Sequence, residues 1–220
     1  MPNFFGFTPS DALAQDLKEI QAKRNSSETL YPLRDKIVLQ MVDEILENVL
    51  ADLLRRFPDS EKKQTAEKLM GFVKSTVHGL LKTLLGKADN EQVKESIAFL
   101  DQSNFKDAQG QALFGAPLDA NVVASMKSSF AEILNDGNHR EIRLSLKETY
   151  KQFADLLILH FLINFTKTLG LGMIKRKAAD IGASAVTKAV HIAIDKLFPT
   201  LSKDELKVIA ECHGGLIHSA

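Results

Sequence analysis

The chain is poor in the residue patterns from which protein chemistry is usually built. Among 220 residues Cys212 is the only cysteine, which excludes an internal disulfide and a zinc site made of thiolates. Lysine plus arginine equals aspartate plus glutamate at 28 each, so no long-range field draws the chain onto nucleic acid, and no nucleic-acid partner is expected. The six histidines form neither a His-Glu-x-x-His nor a Glu-x-x-His motif, so the sequence predicts no metal centre and implies no cofactor. Gly170-Leu171-Gly172 has neither the spacing of a phosphate-binding loop nor a strand before it. No repeat of fixed period is present, which argues against a solenoid.

Long hydrophobic runs are lacking too. The window from Phe153 to Ile174 has the length of a membrane span but is broken by Asp155, His160, Asn164 and Lys167, so no span is expected. The start, Met1-Pro2-Asn3-Phe4-Phe5-Gly6-Phe7, has no basic segment before it and no long apolar run after it. A secretory signal is therefore not expected, and a cytoplasmic location is the default reading.

What is present is ordinary globular composition, 45% apolar and 25% charged, with helical periodicity almost throughout. Thr8-Pro9-Ser10-Asp11 opens a first helix with the stripe Leu13, Leu17 and Ile20. A second runs from Pro32 to Phe57, with Ile37, Met41, Ile45, Val49 and Leu53 at every fourth position, and Pro58 stops it. Ser60 starts a third, whose apolar face spans Leu69, Phe72, Val73, Val77, Leu80, Leu81, Leu84 and Leu85, with Gly86 closing it. Asp89 with Gln92 is spaced as a capping box for a fourth helix through Leu100.

From Gln102 to Leu118 the pattern breaks at Gly110, Gly115 and Pro117. No segment alternates as a half-buried strand does, so this stretch reads as a long connection pinned by its phenylalanines, or as a lid or partner-binding loop. Asp119 begins a helix that ends near Asp136-Gly137, and Asn138 with Glu141 caps a long one from His139 to Leu169, about 46 Å at 1.5 Å per residue. The half from Phe153 to Phe165 is apolar on nearly every side, which places it inside a bundle. After Gly170 and Gly172, a helix from Met173 to Phe198 carries Ala178, Gly182, Ala185, Ala189 and Ala193 along one side. That small-residue side suits close packing against the Phe153–Phe165 helix, or self-association across a two-fold axis. Ser202 with Glu205 caps a last helix through Cys212, closed by Gly214-Gly215.

The expected fold is all-α: an irregular bundle of seven to eight helices around a central, nearly all-apolar helix. It is read as one domain over 1–220, a subdomain break in the loop at 102–118 being the alternative. The candidate ligand-binding residues are His160 and Asn164, two polar groups four apart on the buried helix, which need partners once desolvated. His191 and Asp195 form a surface pair at the same spacing. His213 and His218 lie beside Cys212 near the chain end, but sequence neighbours on a helix point apart, so neither a catalytic dyad nor a metal site is predicted there. Lys175-Arg176-Lys177 is a solvated triplet with some affinity for anions.

Three functional readings follow. The first is a non-enzymatic interaction or regulatory module, acting through a protein partner or self-association. The second is a binder of a small apolar ligand, a lipid or acyl chain, held between helices with His160 and Asn164 at its polar end. The third, weakest, is an enzyme whose acid and base come from separate helices.

Overall fold

The computed structural model describes residues 2–135 and 137–219. Met1 and the Asp136 half of the expected Asp136-Gly137 stop lie outside them. The helices in chain order are α1 (Asp11–Ala22), α2 (Tyr31–Leu46), α3 (Asp52–Arg56), α4 (Glu61–Leu84), α5 (Asn90–Gln102), α6 (Ala120–Leu134), α7 (His139–Ile158), α8 (Phe165–Lys167), α9 (Met173–Leu197) and α10 (Lys203–Gly214). Two π turns, Glu47–Ala51 and Leu159–Asn164, join α2 to α3 and α7 to α8 without a break. Counted as continuous rods, the described residues form eight helices, and the fold is an all-α bundle.

Helix starts follow local chemistry. Ser60, Asp89 and Ser202 accept the N–H groups of Lys63, Gln92 and Glu205, and Glu205 returns the bond to complete a capping box. Within the Thr8-Pro9-Ser10-Asp11 opening of α1 the cap is Ser10, whose hydroxyl accepts from the Leu13 N–H, and the helix starts at Asp11. Within the Phe153–Phe165 stretch Phe153, Leu157, Phe161, Leu162 and Phe165 are buried, while Asp155 and Leu159 reach the surface. Phe72, expected on the apolar face of α4, is also exposed.

A small antiparallel sheet accompanies the helices, where the sequence pattern showed no strand. Its strands are β1 (Asn3–Phe7), β2 (Asn104–Lys106), β3 (Ala112–Leu118) and β4 (Ile217–Ser219), in the order β2-β3-β1-β4. The segment expected as a long loop at 102–118 is thus a hairpin, turned at Asp107–Gly110, where Gly110 takes φ +81°. Gly6 pairs with Gly115, and a Cβ on Gly115 would sit 1.8 Å from the Phe5 carbonyl oxygen, so β1 and β3 approach closely only because that position is glycine. Phe5 and Phe7 point inward; Phe5 meets Phe153 edge-on at 5.9 Å and Phe114 stacks on Phe161 at 5.9 Å. The sheet therefore braces the long α7–α8 rod. The last helix, expected through Cys212, runs to Gly214, and the residues after it form β4 against β1.

The small-residue ridge of α9 is rotated from its expected position. Ala179, Ala183, Val186 and Ile194 are the buried residues, whereas Ala185 faces outward. The closest approach is to α4, where a Cβ on Gly182 would meet Leu80 Cδ2 at 2.5 Å. α4 and α9 run antiparallel: Lys175 Nζ donates to the Leu84 carbonyl at one end, and Lys62 Nζ to the Thr200 carbonyl at the other.

Candidate functional site

Where α2, the first π turn, α4, α7, the second π turn, α9 and α10 meet, they leave a cavity of about 240 Å³. Each rod contributes its ordinary apolar stripe: Ile45 and Val49, then Ala66, Met70 and Val73, then Phe153, Leu157 and Phe161, then Val190 and Ile194. Of its thirty lining residues, all described, only Lys62, Tyr150 and His213 carry polar side-chain atoms.

The two polar residues of the interior satisfy each other. His213 Nε2 donates to the Val49 carbonyl at 2.9 Å, a group presented by the first π turn. A carbonyl only accepts, so the proton is on Nε2 and Nδ1 is bare. Tyr150 Oη then donates to Nδ1 at 2.6 Å. Burial lowers the His213 pKa to about 4 and pushes the Tyr150 hydroxyl well above its usual range, so both stay neutral at physiological pH. One lone pair on Tyr150 Oη is the only hydrogen-bonding capacity the pair has left.

Lys62, its side chain 36% exposed, stands at the rim. It donates to Glu205 Oε2 at 2.8 Å and to the Thr200 carbonyl at 2.9 Å. Burial pushes the Glu205 carboxyl up, but Lys62 and the Ser202 backbone and hydroxyl outweigh it and hold the group below the usual carboxylate range. The rim carries a neutralised ion pair, and the interior carries no charge.

Neither residue expected to bind a ligand lines this cavity. His160 Nε2 bonds Ser103 Oγ at 2.9 Å, while the Ser103 hydroxyl donates to the Phe99 carbonyl, and the imidazole packs 4.7 Å from the Phe99 ring. Burial lowers its pKa to about 4. Asn164 is half-buried and accepts from Lys167 Nζ at 3.0 Å. The two share no partner: His160 is taken up by Ser103 and Phe99, and Asn164 by Lys167 on its own rod.

Other expected pairings also move. His191 bonds Asp155 Oδ1 at 2.8 Å across the α7–α9 contact, and Asp195 is held by Lys151 at 2.7 Å and Lys147 at 3.3 Å. Packing of the two helices brings these partners closer than the i, i+4 neighbour. Among the described residues no hydroxyl or thiol bonds the His191 ring. Burial raises the Cys212 pKa, which opposes the thiolate form a nucleophile needs.

His213 and Tyr150 escaped the sequence reading, although a signal existed. His213 falls in step with Leu206 and Ile209 on the buried face of α10, and Tyr150 lies between Leu146 and Phe153 on that of α7. Among the described residues no helix is long and apolar enough to cross a membrane, and no group of three His, Cys, Asp or Glu side chains is placed to hold a metal ion. Comparison with known protein families, with characterised proteins and with solved structures finds no match.

Proposed function

We propose that this chain binds a small apolar ligand, an acyl chain or similar lipid tail, in the cavity among α2, α4, α7, α9 and α10. The observation that carries this reading is the cavity's size combined with its dry wall. A fully enclosed void costs about 24 cal/mol per Å³, so 240 Å³ kept empty corresponds to at most roughly 6 kcal/mol, and to less where the space opens past Lys62. That is a large share of the ~5–15 kcal/mol by which domains are stable. Water is a poor filler, since it needs two to four polar partners and the interior offers one lone pair on Tyr150. An apolar occupant would recover the lost contacts and leave no polar group unpaired.

The cavity's chemistry also restricts the ligand. At ~30 Å³ per water-sized group, 240 Å³ takes roughly eight methylenes. A charged head would be stranded inside, so the tail enters and the head stays near Lys62.

Binding of straight-chain alcohols from butanol to dodecanol, measured by displacement of a fluorescent apolar dye, tests this. Affinity is expected to rise about fourfold per methylene, the equivalent of ~0.8 kcal/mol, until roughly eight carbons are enclosed and then to level off. Dye uptake that no alcohol competes for, or affinity independent of chain length, would remove the reading. Native mass spectrometry of the purified protein would reveal a retained tail directly.

A further inference from the structure

Met173 and Ile174 are 88% and 87% exposed, more than any other large apolar side chain among the described residues. They are followed directly by Lys175, Arg176 and Lys177, all exposed. Lys175 and Arg176 donate only to backbone carbonyls, of Leu84 and Leu171, and among the described residues no carboxylate lies within ion-pair distance of any of the three. The Lys175–Leu84 bond sets the end of α4 beside them, where Lys82 and Lys87 are also exposed and, among the described residues, outside any ion pair. Neither 171–179 nor 82–88 contains an acidic residue. The nearest acids in sequence are Asp89, whose side chain caps α5, and Asp180 two turns into α9.

A chain of net charge zero thus brings five cations that, among the described residues, lie outside any ion pair to the end of the bundle that carries two projecting apolar side chains. We infer that this end of the bundle docks on an anionic lipid bilayer, with Met173 and Ile174 in the acyl–headgroup boundary and the cations on the phosphates. Apolar side chains at that depth ringed by lysine and arginine match both layers of such a surface. A second copy of the chain fits poorly, because a symmetric contact would bring two sets of five cations together. A nucleic-acid backbone would leave Met173 and Ile174 in water. The inference is independent of the cavity and stands or falls on its own test.

The test is co-sedimentation of the full chain with vesicles of phosphatidylcholine, with and without phosphatidylserine, at low and high salt. The protein is expected to pellet with the anionic vesicles alone and to be released as salt screens the charges. Met173→Ser with Ile174→Ser, and separately Lys175→Glu with Arg176→Glu and Lys177→Glu, are each expected to weaken binding at least tenfold. All five positions are exposed, so circular dichroism should show both variants folded. Failure to pellet with anionic vesicles at low salt overturns the inference. So does retention of binding by the serine variant, which would mean charge adsorption alone. A dimer in light scattering that the serine variant dissolves would assign the patch to self-association instead.

Discussion

Filling the cavity from within separates a real void from a well-packed core by the sign of one number. Ala66 on α4 is 8% exposed and lines the cavity, and leucine there adds three carbon atoms. If those atoms enter empty space, burial contributes about 2.4 kcal/mol at ~0.8 per methylene. Side-chain ordering removes ~0.5–1 and the lower helix propensity a few tenths, leaving a gain of roughly 1–2 kcal/mol. For a chain of this size that is a rise in Tm of about 3–6 °C. Were the region already packed, the same atoms would force neighbours off their rotamers and cost about 1–3 kcal/mol. The variant also takes about 90 Å³ of the space, at ~30 Å³ per group. The alcohol series should therefore level off about three carbons earlier than in the parent. Thermal unfolding by circular dichroism and the displacement assay measure the two effects on one sample. A lower Tm with an unmoved chain-length limit would refute both the void and its use.

Three further outcomes follow from the same geometry. Tyr150→Phe leaves the bare Nδ1 of His213 without a donor in a buried site, so urea titration should show a loss of about 1–3 kcal/mol. His213 titrates near 4 in the folded chain against an ordinary 6.5, so the unfolded chain binds the proton first as pH falls. Stability should be level above 6.5 and drop by about 3 kcal/mol between pH 6.5 and 4, with His160 adding in the same direction; flat stability across that window would contradict the buried neutral imidazoles. Gly115→Ala would place its Cβ 1.8 Å from a backbone oxygen and should cost more than about 4 kcal/mol, whereas Gly6→Ala meets only the tip of the Phe105 ring and should be milder; equal, small losses by denaturant titration would show that β1 and β3 do not pair as described.

The helices were legible because their signals are local. Ser60, Asp89 and Ser202 cap where their side chains and spacing say they should, and stripes such as Leu146, Tyr150 and Phe153 report the buried face directly. The sheet was not legible, for a reason that is equally physical. β1 and β4 come from opposite ends of the chain, and β3 contains the Gly115 and Pro117 that read as interruptions. Gly115 is there because β1 crosses too closely for a side chain, and Pro117 lies beyond the residues that bond β2, where its missing N–H interrupts no pairing on that side. Local periodicity carries no record of such a partner.

The site was only half legible, and His213 shows why. Its place beside Cys212, five residues from His218, suggested a terminal cluster, yet the fold turns it into a wall whose hydrogen bonds are all spent internally. The Val49 carbonyl that receives it lies in the π turn at Glu47–Ala51, and no residue type announces a π turn. The second π turn, at Leu159–Asn164, carries Phe161 and Leu162, which line the cavity, while His160 bonds Ser103 and Asn164 bonds Lys167 away from it. Both helical irregularities border the same void. Each widens its rod by one residue per turn where close-packed neighbours would oppose it, and each places apolar side chains on the cavity wall. Beside them His213 spends both ring nitrogens, and Tyr150 its proton, on internal partners, which leaves one lone pair facing the void. An apolar guest of the proposed kind would make use of both turns, and the Ala66→Leu variant with its alcohol series tests that use.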